Sequence, residues 1–190
     1  MKRFLLAAFG AASILGAGSA SALVFTATGN GPITAYFYGQ SAGYGSDLGL
    51  RINGVSTGIY GLYNHGTAPG TSLVLGNASM GDLLEFELRV SPSDNGFVNY
   101  SLYSNPSLNG DGEEHTVSSP FNAGTFGIPN GTFVGFEDIM PISGSDFDFN
   151  DHQFVFTGVT QTHRTPEGGA TLVLGSLSMI GLGLIRRKVS

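Results

Sequence analysis

Residues 84–90 alternate strictly: Leu84, Phe86, Leu88 and Val90 are apolar, while Glu85, Glu87 and Arg89 between them are charged. A period of two predicts a β-strand with one face on a core and the other in water. Shorter apolar runs recur at 23–28, 33–38, 48–53, 72–75, 83–90, 97–103, 132–137 and 153–159, separated by Gly, Asn, Pro and Ser. Glycine supplies 30 of the 190 residues, and helix-favouring runs of Ala, Leu, Glu and Lys are missing from this region. The pattern predicts one all-β domain over 23–160, an antiparallel β-sandwich or jelly roll. Residues 105–121 are its longest expected loop, and 161–165 read as a short exposed linker.

The two ends follow a different pattern. Lys2 and Arg3 precede an apolar run over 4–18, and Ala20-Ser21-Ala22 then offers small residues in a cleavage arrangement. Residues 1–22 therefore read as a signal peptide, with Leu23 as the first residue of the mature chain. At the other end Thr165, Pro166, Glu167, Gly168 and Gly169 lead into an apolar segment over 170–185 and then the basic stop Arg186, Arg187 and Lys188, within the tail 186–190. At 1.5 Å per residue the apolar segment spans about 24 Å, short for a permanent membrane helix. Its basic flank holds the C-terminus on the cytoplasmic side.

This tripartite tail resembles the PEP-CTERM sorting signal of bacterial surface proteins. Thr165 stands where the usual motif has Val, and Gly168 where it has a second Pro. The resemblance implies processing by an exosortase-type enzyme, a transient stay in the inner membrane, and delivery to the cell surface or an extracellular polymer.

Charge and cysteine content narrow the function classes. From Leu23 to Thr165 three arginines stand against thirteen acidic residues, a surplus of ten negative charges. Such a domain is a poor partner for nucleic acid and is suited to cations. The absence of cysteine excludes disulfide frameworks, thiolate catalysis and cysteine-ligated zinc.

The acidic residues concentrate in 135–156, GFEDIMPISGSDFDFNDHQFVF, where five carboxylates lie among five phenylalanines. In an extended loop Asp146, Asp148 and Asn150 would point one way, while Phe147 and Phe149 would point the other and pack inside. Asp146, Asp148, Asn150 and Asp151, with Glu137 and Asp138 nearby, form a candidate metal site, and calcium is the ion such hard oxygen ligands suit. The spacing resembles the start of an EF-hand loop but departs from it, with Asp151 in place of Gly and Thr157 in place of the bidentate Glu. The other reading is a polar turn whose Asp and Asn side chains satisfy backbone amides.

The same stretch resembles the C-terminal signature of the domain-of-unknown-function family numbered 4114. In that signature a Gly-aromatic-Glu-Asp segment leads through a Gly/Ser loop to Asp-x-Asp-aromatic-Asn-Asp and a closing strand. Both aspartates of the pair are present, as Asp146 and Asp148, and Phe149 stands where Tyr is commoner. More loosely, 41–54, 62–65 and 109–115 are similar to the rest of that domain. The resemblance implies a secreted β-sandwich with calcium as the suspected ion, and supplies no activity.

Enzyme signatures are missing: no nucleophile elbow, zinc-protease motif, P-loop or dinucleotide fingerprint occurs. A glycoside hydrolase would need paired carboxylates such as Glu137 and Asp146, a pairing that thirteen acids supply easily by chance. His65, His115, His152 and His163 are scattered singly. Asp111, Glu113 and Glu114 suit a solvated loop tip better than an ion site. Seven tyrosines (Tyr36, Tyr38, Tyr44, Tyr60, Tyr63, Tyr100 and Tyr103) could stack on sugar rings, although on strands such residues more often pack across the sheet. The sequence expectation is thus a non-enzymatic, calcium-binding matrix or adhesive component, with a glycan-binding module as the alternative and extracellular polysaccharide as a candidate partner.

Overall fold

The computed structural model describes residues 22–93 and 97–164. Residues 1–21 of the expected leader 1–22, the sorting motif from Thr165, the apolar segment 170–185 and the basic stop lie outside the described residues.

Two antiparallel sheets make up the domain, an arrangement consistent with a β-sandwich. In the six-stranded sheet β11 (Val159–Arg164), β1 (Ala22–Ala27), β6 (Leu83–Ser91), β3 (Gly45–Ile52) and β4 (Val55–Gly61) lie in that order, and β7 (Tyr100–Tyr103) also pairs with β6. The five-stranded sheet runs β5 (Ser72–Ala78), β2 (Gly31–Gly39), β10 (His152–Thr157), β9 (Gly131–Phe136) and β8 (Thr116–Phe121). Alternation carries Leu84, Phe86, Leu88 and Val90 of β6 and Val134, Phe136, Phe154 and Phe156 of β9 and β10 into one core. The rings of Phe86 and Phe156 stack across the two sheets with centroids 3.7 Å apart, and Phe25 lies 5.0 Å from Phe86. Burying each such ring contributes about 1.5–3 kcal/mol.

Three strands that the apolar pattern did not predict, β4, β8 and β11, are all at sheet edges. Residues 161–164, expected as a linker, belong to β11, where they pair with residues 22–25 of β1. Edge strands have a neighbour on one side and much solvent on the other, so their sequences (VSTGIYG, TVSSPF and VTQTHR) carry little alternation to read. Residues 97–103 shorten to a strand over Tyr100–Tyr103, and the expected long loop 105–121 contains a helical turn at Pro106–Leu108 followed by β8.

The charged face of β6 is not the wet face that its alternation predicted. Glu85 and Glu87 are each 6% exposed. Glu87 accepts hydrogen bonds from Tyr60 (3.2 Å), Ser101 (2.8 Å) and Tyr103 (3.4 Å), and Asn105 donates to Glu85 at 2.8 Å. The Arg89 guanidinium lies 3.5 Å over the Tyr60 ring and pairs with Asp47, while Arg51 pairs with Glu85. Tyr60 can lie flat across β3 because residue 49 is glycine: a Cβ there would meet the ring at 2.4 Å.

Candidate metal centre

The candidate site occupies the chain between the end of β9 and the start of β10. Phe136 pairs with Thr116 of β8 and with His152 of β10, so Glu137 leaves the sheet beside His115 and Asp151. Its N–H donates to the His115 carbonyl at 3.0 Å, and the residue is fully buried. One Glu137 carboxylate oxygen accepts the backbone N–H of Phe149 and the other accepts the Ser145 hydroxyl. Ser145 in turn accepts the Phe147 N–H at 3.0 Å.

Between these anchors the loop is folded and not extended. Phe147 and Phe149 have φ of 62° and 53°, a left-handed conformation uncommon for aromatic residues. Phe147 is consequently 55% exposed, a correction to the expectation that both rings pack inside. Gly135 makes this path possible: a Cβ there would stand 2.3 Å from the Phe149 carbonyl oxygen, so only a bare backbone lets the loop lie against β9.

The fold brings Glu137, Asp146 and Asp148 together, each offering a carboxylate oxygen within 4.8 Å of the others. Glu137 is buried, whereas the two aspartates are exposed. Oxygen ligands at 2.3–2.6 Å around calcium stand up to about 5 Å apart, so the trio fits within one such shell. Although both Glu137 oxygens already accept a hydrogen bond, each retains lone-pair capacity for an ion. This acidic cluster could hold a metal ion.

The remaining candidate ligands lie elsewhere in the network. Asn150 donates its side-chain and backbone N–H groups to Asp148 and so serves as its support. Asp138 faces His152, whose Nε2 lies 3.3 Å from its carboxylate, and its own N–H donates to Asp151 at 2.9 Å. Tyr100 donates to the Asp138 carbonyl at 2.6 Å. Burial pushes the Asp151 carboxyl up to about 7 against the Asp138 N–H that favours its charge, and repulsion from Asp138 and Glu137 adds to the rise. Burial also holds His152 below the ordinary imidazole value, against the pull of Asp138.

Asp111 anchors the neighbouring loops. Its carboxylate accepts the Ile142 N–H at 3.0 Å and meets His115 Nε2 at 3.0 Å. The sequence reading missed Ser145, the Phe149 N–H and Gly135 as supports of the site. A Gly-Ser pair before Asp-x-Asp was the available signal for Ser145, whereas Gly135 acts through a contact that only the folded chain creates.

Fold and site define an all-β domain with an acidic trio at the mouth of one sheet. No family model, no curated protein and no solved structure matches the chain.

Proposed function

We propose that the chain is an exported, non-enzymatic surface or matrix protein whose Glu137, Asp146 and Asp148 trio binds calcium. The convergence of these three oxygen donors, one just beyond the end of β9 and two on the loop, carries the reading. In it the signal peptide is removed after Ala22, and an exosortase-type enzyme processes the tail beginning at Thr165. Calcium orders the loop at the domain's acidic end, which can then bridge to anionic polysaccharide or to another surface component.

The glycan-binding alternative draws less support. Tyr38 packs edge-on against Phe121, Phe126 and Phe133, Tyr60 is covered by Arg89, and Tyr100 is tied to Asp138. A hydrolase draws less still, because Glu137 is buried and shares one cluster with Asp146 instead of facing it across a sugar-wide gap.

Titration calorimetry and thermal melting of the exported protein test the metal reading. Heat on adding calcium and a raised melting temperature are expected, with a weaker response to magnesium. No heat and no melting shift at millimolar calcium would sink it.

A further inference from the structure

A single residue, Gly158, carries the chain from one sheet to the other: β10 ends at Thr157 in the five-stranded sheet, and β11 begins at Val159 in the six-stranded one. Gly158 makes this crossing with φ of 77°, a left-handed conformation. A Cβ there would crowd the Pro32 carbonyl oxygen at 3.2 Å and the Ile33 side chain at 3.3 Å. What β11 holds on to is narrow. All six of its residues pair with β1, from Val159 opposite Ala27 to Arg164 opposite Ala22. Among its described side chains Val159 alone is buried in the core. Beside the ladder, Ser118 donates to Gln161, Thr132 donates to the Val159 carbonyl at 3.0 Å, and the Thr28 N–H donates to the Gly158 carbonyl at 2.9 Å.

We infer that β11 also pairs with β1 of a second copy of this chain, Gly158 opening as a hinge so that the last strand is exchanged between copies. The closed chain itself supplies the complementary surface: what joins β11 to β1 within one chain joins them equally between two, rung for rung. Only the hinge differs. Opening it frees residue 158 from the left-handed conformation and from the close approach to Pro32. Against exchange stands proximity, since a strand tethered by one residue meets its own β1 at an effective concentration on the order of millimolar or above. Exchange therefore belongs to crowded conditions, such as a densely packed layer of copies. Two copies that exchange reciprocally close into a dimer. Copies that each give β11 to one neighbour and take it from another form a head-to-tail contact, which runs on as an open chain of domains. Neither calcium nor removal of the leader enters this exchange.

Val24 and Thr162 are partners in the ladder, and the chain has no cysteine of its own. A disulfide across this rung ties a closed chain to itself and an exchanged chain to its neighbour. The exported protein carrying Val24→Cys and Thr162→Cys is refolded from urea at about 1 mM and at about 1 µM, diluted, oxidised and run on a denaturing gel. Dimers and longer ladders are expected from the concentrated sample and single chains from the dilute one, with mass spectrometry placing the links between positions 24 and 162. Gly158→Val puts a β-branched side chain at the hinge and is expected to lower the concentration for half exchange about tenfold. If that variant does not fold, the parent hinge decides the question alone. Single chains only after refolding at about 1 mM, or links confined to like positions, overturn the exchange. A parent that exchanges while folded Gly158→Val needs no lower concentration overturns Gly158 as the hinge.

Discussion

The Glu137 carboxylate accepts the backbone N–H of Phe149, fastening the acidic loop to the end of β9. This bond makes Glu137 part of the scaffold as well as a candidate ligand, and the two tasks separate by mutation. Glu137→Gln keeps one acceptor but presents an amide N–H₂ to the loop, and is expected to destabilise the domain by about 1–3 kcal/mol. Asp146→Asn, at an exposed position, is expected to leave stability without calcium within about 0.5 kcal/mol of the parent while removing the calcium response. Thermal melts with calcium and with a chelator check both outcomes.

Asp151 and His152 give stability two opposed dependences on pH. The folded Asp151 carboxyl is raised from 3.8 to about 7, so the folded state holds its proton more tightly than the unfolded chain. Its contribution favours folding at low pH and is lost as pH rises through that window. His152 is lowered from 6.5, so its contribution is lost as pH falls below 6.5 and the unfolded imidazole takes up a proton. Asp151→Asn retains an oxygen for the Asp138 N–H but does not titrate. Urea unfolding from pH 4 to pH 8 is expected to show stability falling more steeply toward acid in this variant than in the parent.

Glu87 is the hub of the covered face of the larger sheet. Glu87→Ala removes the acceptor of three hydroxyls and is expected to cost about 1–3 kcal/mol in urea unfolding. Had this face been the open one its alternation suggests, the same change would fall within about 0.5 kcal/mol.

The domain's last strand ends at Arg164, beyond the boundary its composition suggests. A chain ending after Thr160 loses the partners of residues 22–25. At about 0.2–1 kcal/mol per cross-strand pair, about 1–4 kcal/mol of stability is expected to go. Melting temperature and light scattering report it, the latter because β1 then becomes an open edge.

Most of what could be read from the sequence had apolar neighbours on both sides, although the edge strand β5 was also legible from Leu73 and Leu75. Central strands such as β6 and β10 announced themselves because Phe86, Phe154 and Phe156 must alternate toward a common core. Edge strands such as β11 did not, since one flank and much of each face meet water. The acidic cluster was legible as composition, and the fold brings Asp146 and Asp148 together with Glu137, but its shape was not legible. The turns at Phe147 and Phe149 run against the ordinary preferences of aromatic residues and are held by Glu137, Ser145 and the space left by Gly135. Glu85 and Glu87 were misread for the same reason: alternation tells which face a residue is on, and not what the rest of the chain lays over that face.

Ala22 and Arg164 are partners at the open end of one antiparallel ladder, so the chain enters and leaves the domain side by side. Tension applied between those two points meets the rungs one after another, in peeling geometry, and does not load them together as shear would. The first place where β1 gains a second neighbour is Phe25, opposite Leu84. Mechanically, the domain has a compliant corner that ends where β6 begins to share the load.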